Sequence, residues 1–421
     1  MTSSPGARTV GKGSPERFVI LDGMRGYFLV FMLLNHLSFQ GSYMLVKINH
    51  AELSFVQDAP GFVFLSGLLI GMVYTRRMAE KGLATAGPIM WRRALELFAY
   101  AAGCLAAVLI LMRIIPNAAS AWQPWLEGLV GGGYAYLAAA LTLLYQPTYM
   151  DILPQYIVYL TAAPPLLWLC VKGKWHWVAA LSGLLWFAVQ IGLHLPLANT
   201  MNAGLGAAQD GLAMRGHFNL MAWQIVFMAG MVLGTLAIQG KLDLDRLFNP
   251  HRRFPFTIAV AVLTFFLALK LSLTAQILPE DILQRLAPYD NRPEFGAIYL
   301  LNFAAMAYAV GWLIVAGKQT RNGTLRSLSA ALTWIFQLRF LRLLGRHSLQ
   351  VYAYHVVLVY VLAAFDRQMG PLPEGQKTMI AIAGIASLAL PALLMEWRAR
   401  VKRVDSETNR ATIPFSPRPS T

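Results

Sequence analysis

The chain has 421 residues, of which 57% are hydrophobic and only 13% charged. That excludes a soluble globular domain, where about a quarter of residues are charged, and long apolar runs from Phe18 to Trp397 mark an all-α, polytopic helical membrane protein. A formal net charge of +15 fits cytoplasmic loops facing anionic lipid better than a nucleic-acid binder.

Residues 1–16 are rich in Ser, Pro, Gly and charge and are expected to form a disordered cytoplasmic tail. Residues 17–397 are expected to be one transmembrane domain, followed by a basic cytoplasmic tail over 398–421. The apolar runs predict about ten spans: Phe18–Phe39, Pro60–Tyr74, Ala94–Leu111, Ile152–Val171, Trp175–Leu193, Phe218–Ile238, Phe254–Leu273, Phe295–Val315, Leu349–Phe365 and Met379–Trp397. The first is too long and polar for a signal-peptide core and should be retained. Gly131–Tyr145 is shorter than a crossing and reads as a re-entrant or interfacial helix. Cys104 and Cys170 lie inside apolar runs and suggest neither a disulfide framework nor a metal site.

Charge sets the direction. With ten spans, most Lys and Arg fall on the side that holds both ends of the chain, including Arg76, Arg77, Arg92 and Arg93. The opposite side keeps only Lys47, Arg113, Arg215, Lys270, Arg285, Arg292, Arg367 and Lys377. The positive-inside rule then places both termini in the cytoplasm. The outer loops carry Trp122, Trp125, Tyr145, Tyr149, Asn199, Asn202, Tyr289 and Asn291. Such aromatics and amides suit carbohydrate, although interfacial anchoring gives the same composition.

The first span holds the groups hardest to place in hydrocarbon: Asp22, Arg25, Asn35 and His36. Eleven residues separate Arg25 from His36, about three turns and ~16 Å, so both side chains share a face at opposite ends. Arg25 suits a phosphate or carboxylate, and a neutral imidazole at His36 suits removal of a proton from a hydroxyl. Asp58 lies on the side of His36 and is a candidate to orient it. Arg92 and Arg93 suit either simple topology or a cradle for a phosphorylated cytosolic donor. Gly67 and Gly71 make a GxxxG packing face. Ser66 lacks a nucleophile-elbow context. Polar islands recur at Asp151–Tyr156, at Phe218-Asn219 with Trp223-Gln224, and at Gly345–Tyr352 with His355.

In this order, LDGMRG…NH (Leu21–His36), FVFLSG (Phe62–Gly67), DILPQYIV (Asp151–Val158), FNLMAWQIVFMAGMVLG (Phe218–Gly234) and LGRHSLQVY (Leu344–Tyr352) resemble the osmoregulated periplasmic glucan succinyltransferase family (OpgC-type). That family belongs to a wider superfamily of integral-membrane acyltransferases. The resemblance implies ten helices in the bacterial inner membrane and transfer of an acyl group, succinyl in that family, from cytosolic acyl-CoA to a hydroxyl of periplasmic glucan or another envelope glycan. It implies His36 as general base and Arg25 as a residue that helps position the donor, while Arg92 and Arg93 stay the donor-side candidates read from the residues. Asn219, Trp223 and Gln224 are the candidate acceptor-binding residues. No metal, cofactor or nucleic acid is expected, the bilayer is the surrounding partner, and a homo-oligomer stays open. The chain departs from the family pattern at Asn35 and Pro60, where acidic residues are usual, and at Leu220, where proline is common. A polytopic transporter or flippase of a glycan or anionic substrate is the alternative from another class, with Asp22, Arg25 and His36 as its polar path.

Overall fold

The computed structural model describes residues 15–411. Its helices are α1 (Pro15–His36), α2 (Asp58–Ile114), α3 (Ala118–Leu126), α4 (Tyr134–Leu141), α5 (Ile152–Val171), α6 (Trp175–Gln190), α7 (Leu195–Ala208), α8 (Leu220–Ile238) and α9 (Leu244–Leu247). They continue as α10 (Phe254–Thr274), α11 (Glu280–Leu286), α12 (Ala297–Val315), α13 (Gly323–Gln337), α14 (Arg339–Arg346), α15 (Ser348–Met369), α16 (Glu374–Ser387) and α17 (Ala389–Ala411). Among the described residues no strand forms, as expected where backbone polar groups must be satisfied within each segment.

Among the described residues, seven helices are long and apolar enough to cross a membrane, with α16 and α17 counted together as Glu374–Lys402, or eight if α6 and α7, bent by 70°, form one span. α2 enters that set once, as 57 residues, where two spans are expected from the sequence. Gly82, with φ of 70° and ψ of 175°, breaks the helix within it. Glycine tolerates that backbone conformation because it has no Cβ. Before the break, Phe62, Val63 and Ser66 share a small cavity with Ile152, Tyr156 and Tyr159 of α5. After it, Phe98 and Ala101 meet Pro154, Trp91 donates to Thr161 O (3.0 Å), and Gly87 faces Pro164. One arm therefore runs parallel to α5 and the other antiparallel: α2 is a helical hairpin folded at Gly82.

The first arm is locked to α8 by reciprocal small residues. A Cβ on Gly67 would lie 2.0 Å from Phe227 O, and one on Gly71 2.3 Å from Met231 O. Across the interface, a Cβ on Gly230 would lie 2.2 Å from Phe64 O and one on Gly234 2.3 Å from Leu68 O. Close backbone approach replaces a hydrophobic driving force, which is weak between helices in lipid. Thr75 and Thr235 hydrogen-bond across the same seam (3.2 Å). The amino-terminal half of α1 is held comparably, with Gly23 against Phe336 O, Gly26 against Leu341 O, and Gly345 of α14 against Asp22 O.

α4 has eight residues, ~12 Å, too short to cross. The expected amino-terminal tail lies outside the described residues except for Pro15 and Glu16, which open α1. At the other end α17 continues past the expected boundary at Trp397 to Ala411, and residues 412–421 lie outside the described residues.

Candidate active site

The carboxy-terminal end of α1, the outer end on the charge-based expectation, meets the middle of the bundle. His36 Nδ1 lies 3.1 Å from Nε2 of His355, and His355 Nδ1 lies 2.6 Å from Tyr352 O. A carbonyl only accepts, so His355 Nδ1 carries the proton. His355 is fully buried, and a ring with its single proton on Nδ1 has a lone pair on Nε2. That lone pair then accepts from His36 Nδ1–H. In the neutral ring this tautomer makes His36 Nε2 the acceptor nitrogen, and it is free of any hydrogen bond among the described residues. That is the form a general base requires.

The Tyr149 ring lies tilted on His36, with centroids 4.3 Å apart. Tyr149 has a φ of 70°, uncommon for a side chain with a Cβ. Two tyrosines of α15 hold it there: Tyr352 OH donates to Tyr149 O (2.8 Å) and Tyr360 OH to Thr148 O (3.0 Å). The Tyr149 hydroxyl reaches Ser38 Oγ (3.1 Å). His217 and Arg292 are further electrostatic neighbours of His36. Both also act on Asp151, at the head of α5, whose carboxyl is raised above the usual carboxylate range by burial and drawn back by those two neighbours. An aromatic face, hydroxyls and the Arg292 cation thus gather around one imidazole nitrogen, an arrangement suited to a sugar hydroxyl.

Asp58, expected to orient His36, does something else. It accepts from the Asn35 amide and lies 3.7 Å from His50 Nε2. Asn35 in turn accepts from Asn49 (2.5 Å). An amide at position 35 is what a buried carboxylate at Asp58 can bond without like-charge repulsion. His355 holds the position at His36 Nδ1 that the sequence reading gave to Asp58.

Asn219, Trp223 and Gln224 have their polar groups engaged within the fold. Asn219 caps α8, accepting from Met221 N (3.0 Å) and Ala222 N (3.3 Å). The buried Trp223 indole donates to Pro293 O (3.1 Å) and packs between Phe218 and Phe295. Gln224 accepts from Ser182 Oγ (2.7 Å) and donates to Ser182 O (2.8 Å). The Asn219 backbone N–H (2.8 Å) and the Trp223 indole both donate to Pro293 O, which fixes the segment that carries Arg292. Ser66 back-bonds to Phe62 O (2.8 Å) within its own helix.

At the inner end, Arg25 stacks over the Phe62 ring (5.4 Å), and its buried Nε makes no hydrogen bond. Its electrostatic neighbours are Tyr156, Asp22 and Arg93. Asp22 also faces Arg342 and Arg346 on α14. Arg93 therefore joins Arg25, although it is paired with Glu96 (2.5 Å), whereas Arg92 is exposed. Arg342 and Arg346 were missed as site residues because a basic stretch at the cytoplasmic face has a sufficient topological explanation.

A family model described as OpgC protein matches residues 17–400. The chain belongs to the OpgC protein family. No curated protein matched in the sequence search, and no solved structure matched the fold. OpgC membership and the apolar helices together point to a multi-pass membrane protein, and the family suggests an acyltransferase.

Proposed function

We propose that this OpgC-family chain is an inner-membrane O-acyltransferase that moves a succinyl group from cytosolic acyl-CoA to a hydroxyl of periplasmic glucan. The observation that carries the reading is the His36–His355–Tyr352 chain, which presents a bare imidazole nitrogen beside an aromatic face. His36 Nε2 takes the proton of the sugar hydroxyl as the oxygen attacks the thioester carbonyl. Collapse of the tetrahedral intermediate breaks the C–S bond. The imidazolium returns its proton to the leaving thiolate, giving ester and free thiol. Arg25, with Arg93, Arg342 and Arg346 nearby, holds the anionic end of the donor. The ~16 Å between Arg25 and His36 suits an extended pantetheine arm.

In this reading the Gly82 hairpin supplies two crossings and α6–α7 one broken crossing. Ten crossings then bring both termini to the cytoplasm, in line with the charge bias. The bent α6–α7 pair is the feature that favours a transporter, since broken helices line transport sites. Reconstitution with labelled succinyl-CoA and purified periplasmic glucan separates the readings. Labelled ester in wild type and none in His36→Ala supports acyl transfer, whereas movement of unmodified glucan without ester overturns it.

A further inference from the structure

One buried polar group between the two ends of α1 is used by neither. Gln155 is 1% exposed, and neither its Oε1 nor its Nε2 makes a hydrogen bond. Burying both halves of a primary amide unpaired is costly, and native interiors seldom leave it so. The Tyr159 hydroxyl, one turn along α5, gives its own proton to Leu220 O (2.9 Å) and turns a lone pair toward the amide Nε2 at less than full hydrogen-bond geometry, whereas Oε1 meets no donor.

The position of Gln155 suggests its occupant. Helical spacing puts residues 152, 155, 156 and 159 on one face of α5, and Ile152, Tyr156 and Tyr159 line the cavity shared with Phe62, Val63 and Ser66. Four residues before Gln155, Asp151 shares His217 and Arg292 with His36. One residue after it, Tyr156 faces Arg25. Gln155 therefore stands between the cationic end and the imidazole end, presenting one acceptor and one donor side by side. A secondary amide, with its C=O and N–H, is the complement of that pair.

We propose that Gln155 binds a secondary amide of the donor's thioester arm, setting how far the acyl group is carried from Arg25 toward His36. The assignment rests on the acyl-CoA reading above. Ile152, Phe62 and Val63 grip the methylenes, and Phe62 leaves the face of Arg25 as the arm enters.

The test compares wild type with Gln155→Met, an apolar replacement of similar size. Binding is measured for coenzyme A and for adenosine bisphosphate, which has the nucleotide phosphates but no amide. Q155M is expected to lose about tenfold or more in affinity for coenzyme A, the worth of one or two hydrogen bonds, and to bind the nucleotide like wild type. The ligand-free variant should melt no lower than wild type, because two unpaired polar atoms are gone. Equal binding of coenzyme A by both proteins overturns the proposal, as does equal loss of both ligands or a melting temperature lowered by the substitution. If Q155M does not fold, Gln155→Asn, which keeps the amide but withdraws it by one methylene, carries the same comparison. Failure of wild type to bind coenzyme A and to form ester overturns the acyl-CoA reading itself, an outcome distinct from a variant that binds normally.

Discussion

The two ends of α1 differ in how completely the protein satisfies them. At the outer end nearly every polar atom has a protein partner: Asn35 bonds Asp58 and Asn49, His36 bonds His355, and His355 bonds Tyr352 O. What stays free is His36 Nε2, together with the second oxygen of Asp58. At the inner end Arg25 has an aromatic ring beneath it, a hydrogen-bondless Nε and further cations nearby. An assembled end suits chemistry that needs orientation before substrate arrives. A cationic end with unmet bonds suits an anionic group that arrives from outside.

His36→Ala should break the outer end most severely. Ester formation should fall by about 10²–10⁴-fold, the usual worth of a general base, while helix content and melting temperature stay near wild type. A smaller loss would move the proton acceptor elsewhere.

Arg25→Ala tests the inner end. Losing charge-assisted bonds worth about 1.5–3 kcal/mol should raise the donor KM about 10- to 150-fold. The acceptor KM should hold steady, and a change in the acceptor KM instead would dissolve the division of labour between the ends.

His355 is a positioning residue, so its loss should cost less than that of His36. His355→Leu removes the acceptor for His36 Nδ1–H, and about 1–3 kcal/mol corresponds to about 5- to 150-fold in kcat. His355→Gln, which can still accept through Oε1, should recover part of that loss and restore the wild-type pH profile. Identical behaviour of the two variants would assign His355 to packing alone.

Asp58→Ala should leave kcat within about tenfold while lowering stability by about 1–3 kcal/mol, because Asp58 accepts from Asn35 rather than from His36 and the alanine leaves that donor unpaired. The comparison is sharpened by measuring thermal unfolding and turnover on the same samples. The smallest effect is expected at Asn219→Ala. Loss of its cap should cost about 1 kcal/mol of stability with the acceptor KM unchanged, and a raised acceptor KM would return Asn219 to the glycan site.

Particular residues show why some of this was legible in sequence. Arg25 and His36 lie on one helix, where a fixed rise and period turn spacing into geometry. Gly67 and Gly71 announced a close helix contact, and the seam with Gly230 and Gly234 is where it occurs. His355 was visible as a polar island but not as the partner of His36, since 319 residues separate the two. Tyr149 was hidden among interfacial aromatics of the same composition. Asp58 and Asn219 stand differently in the structure for one reason: chemical type suggested a role, and hydrogen-bond geometry engages the group elsewhere.

By itself the sequence determined a helical, multi-pass membrane chain, its charge asymmetry, its resemblance to the OpgC family, and a first helix with a cation at one end and an imidazole at the other. These follow from local composition and helical periodicity, which need no knowledge of neighbours. Only the tertiary structure decided which nitrogen of His36 is free, what Asp58 holds, and that Gln155 is buried with its amide unmet. Each of those depends on lone pairs and donors brought together from distant segments, and packing alone settles which of them meet.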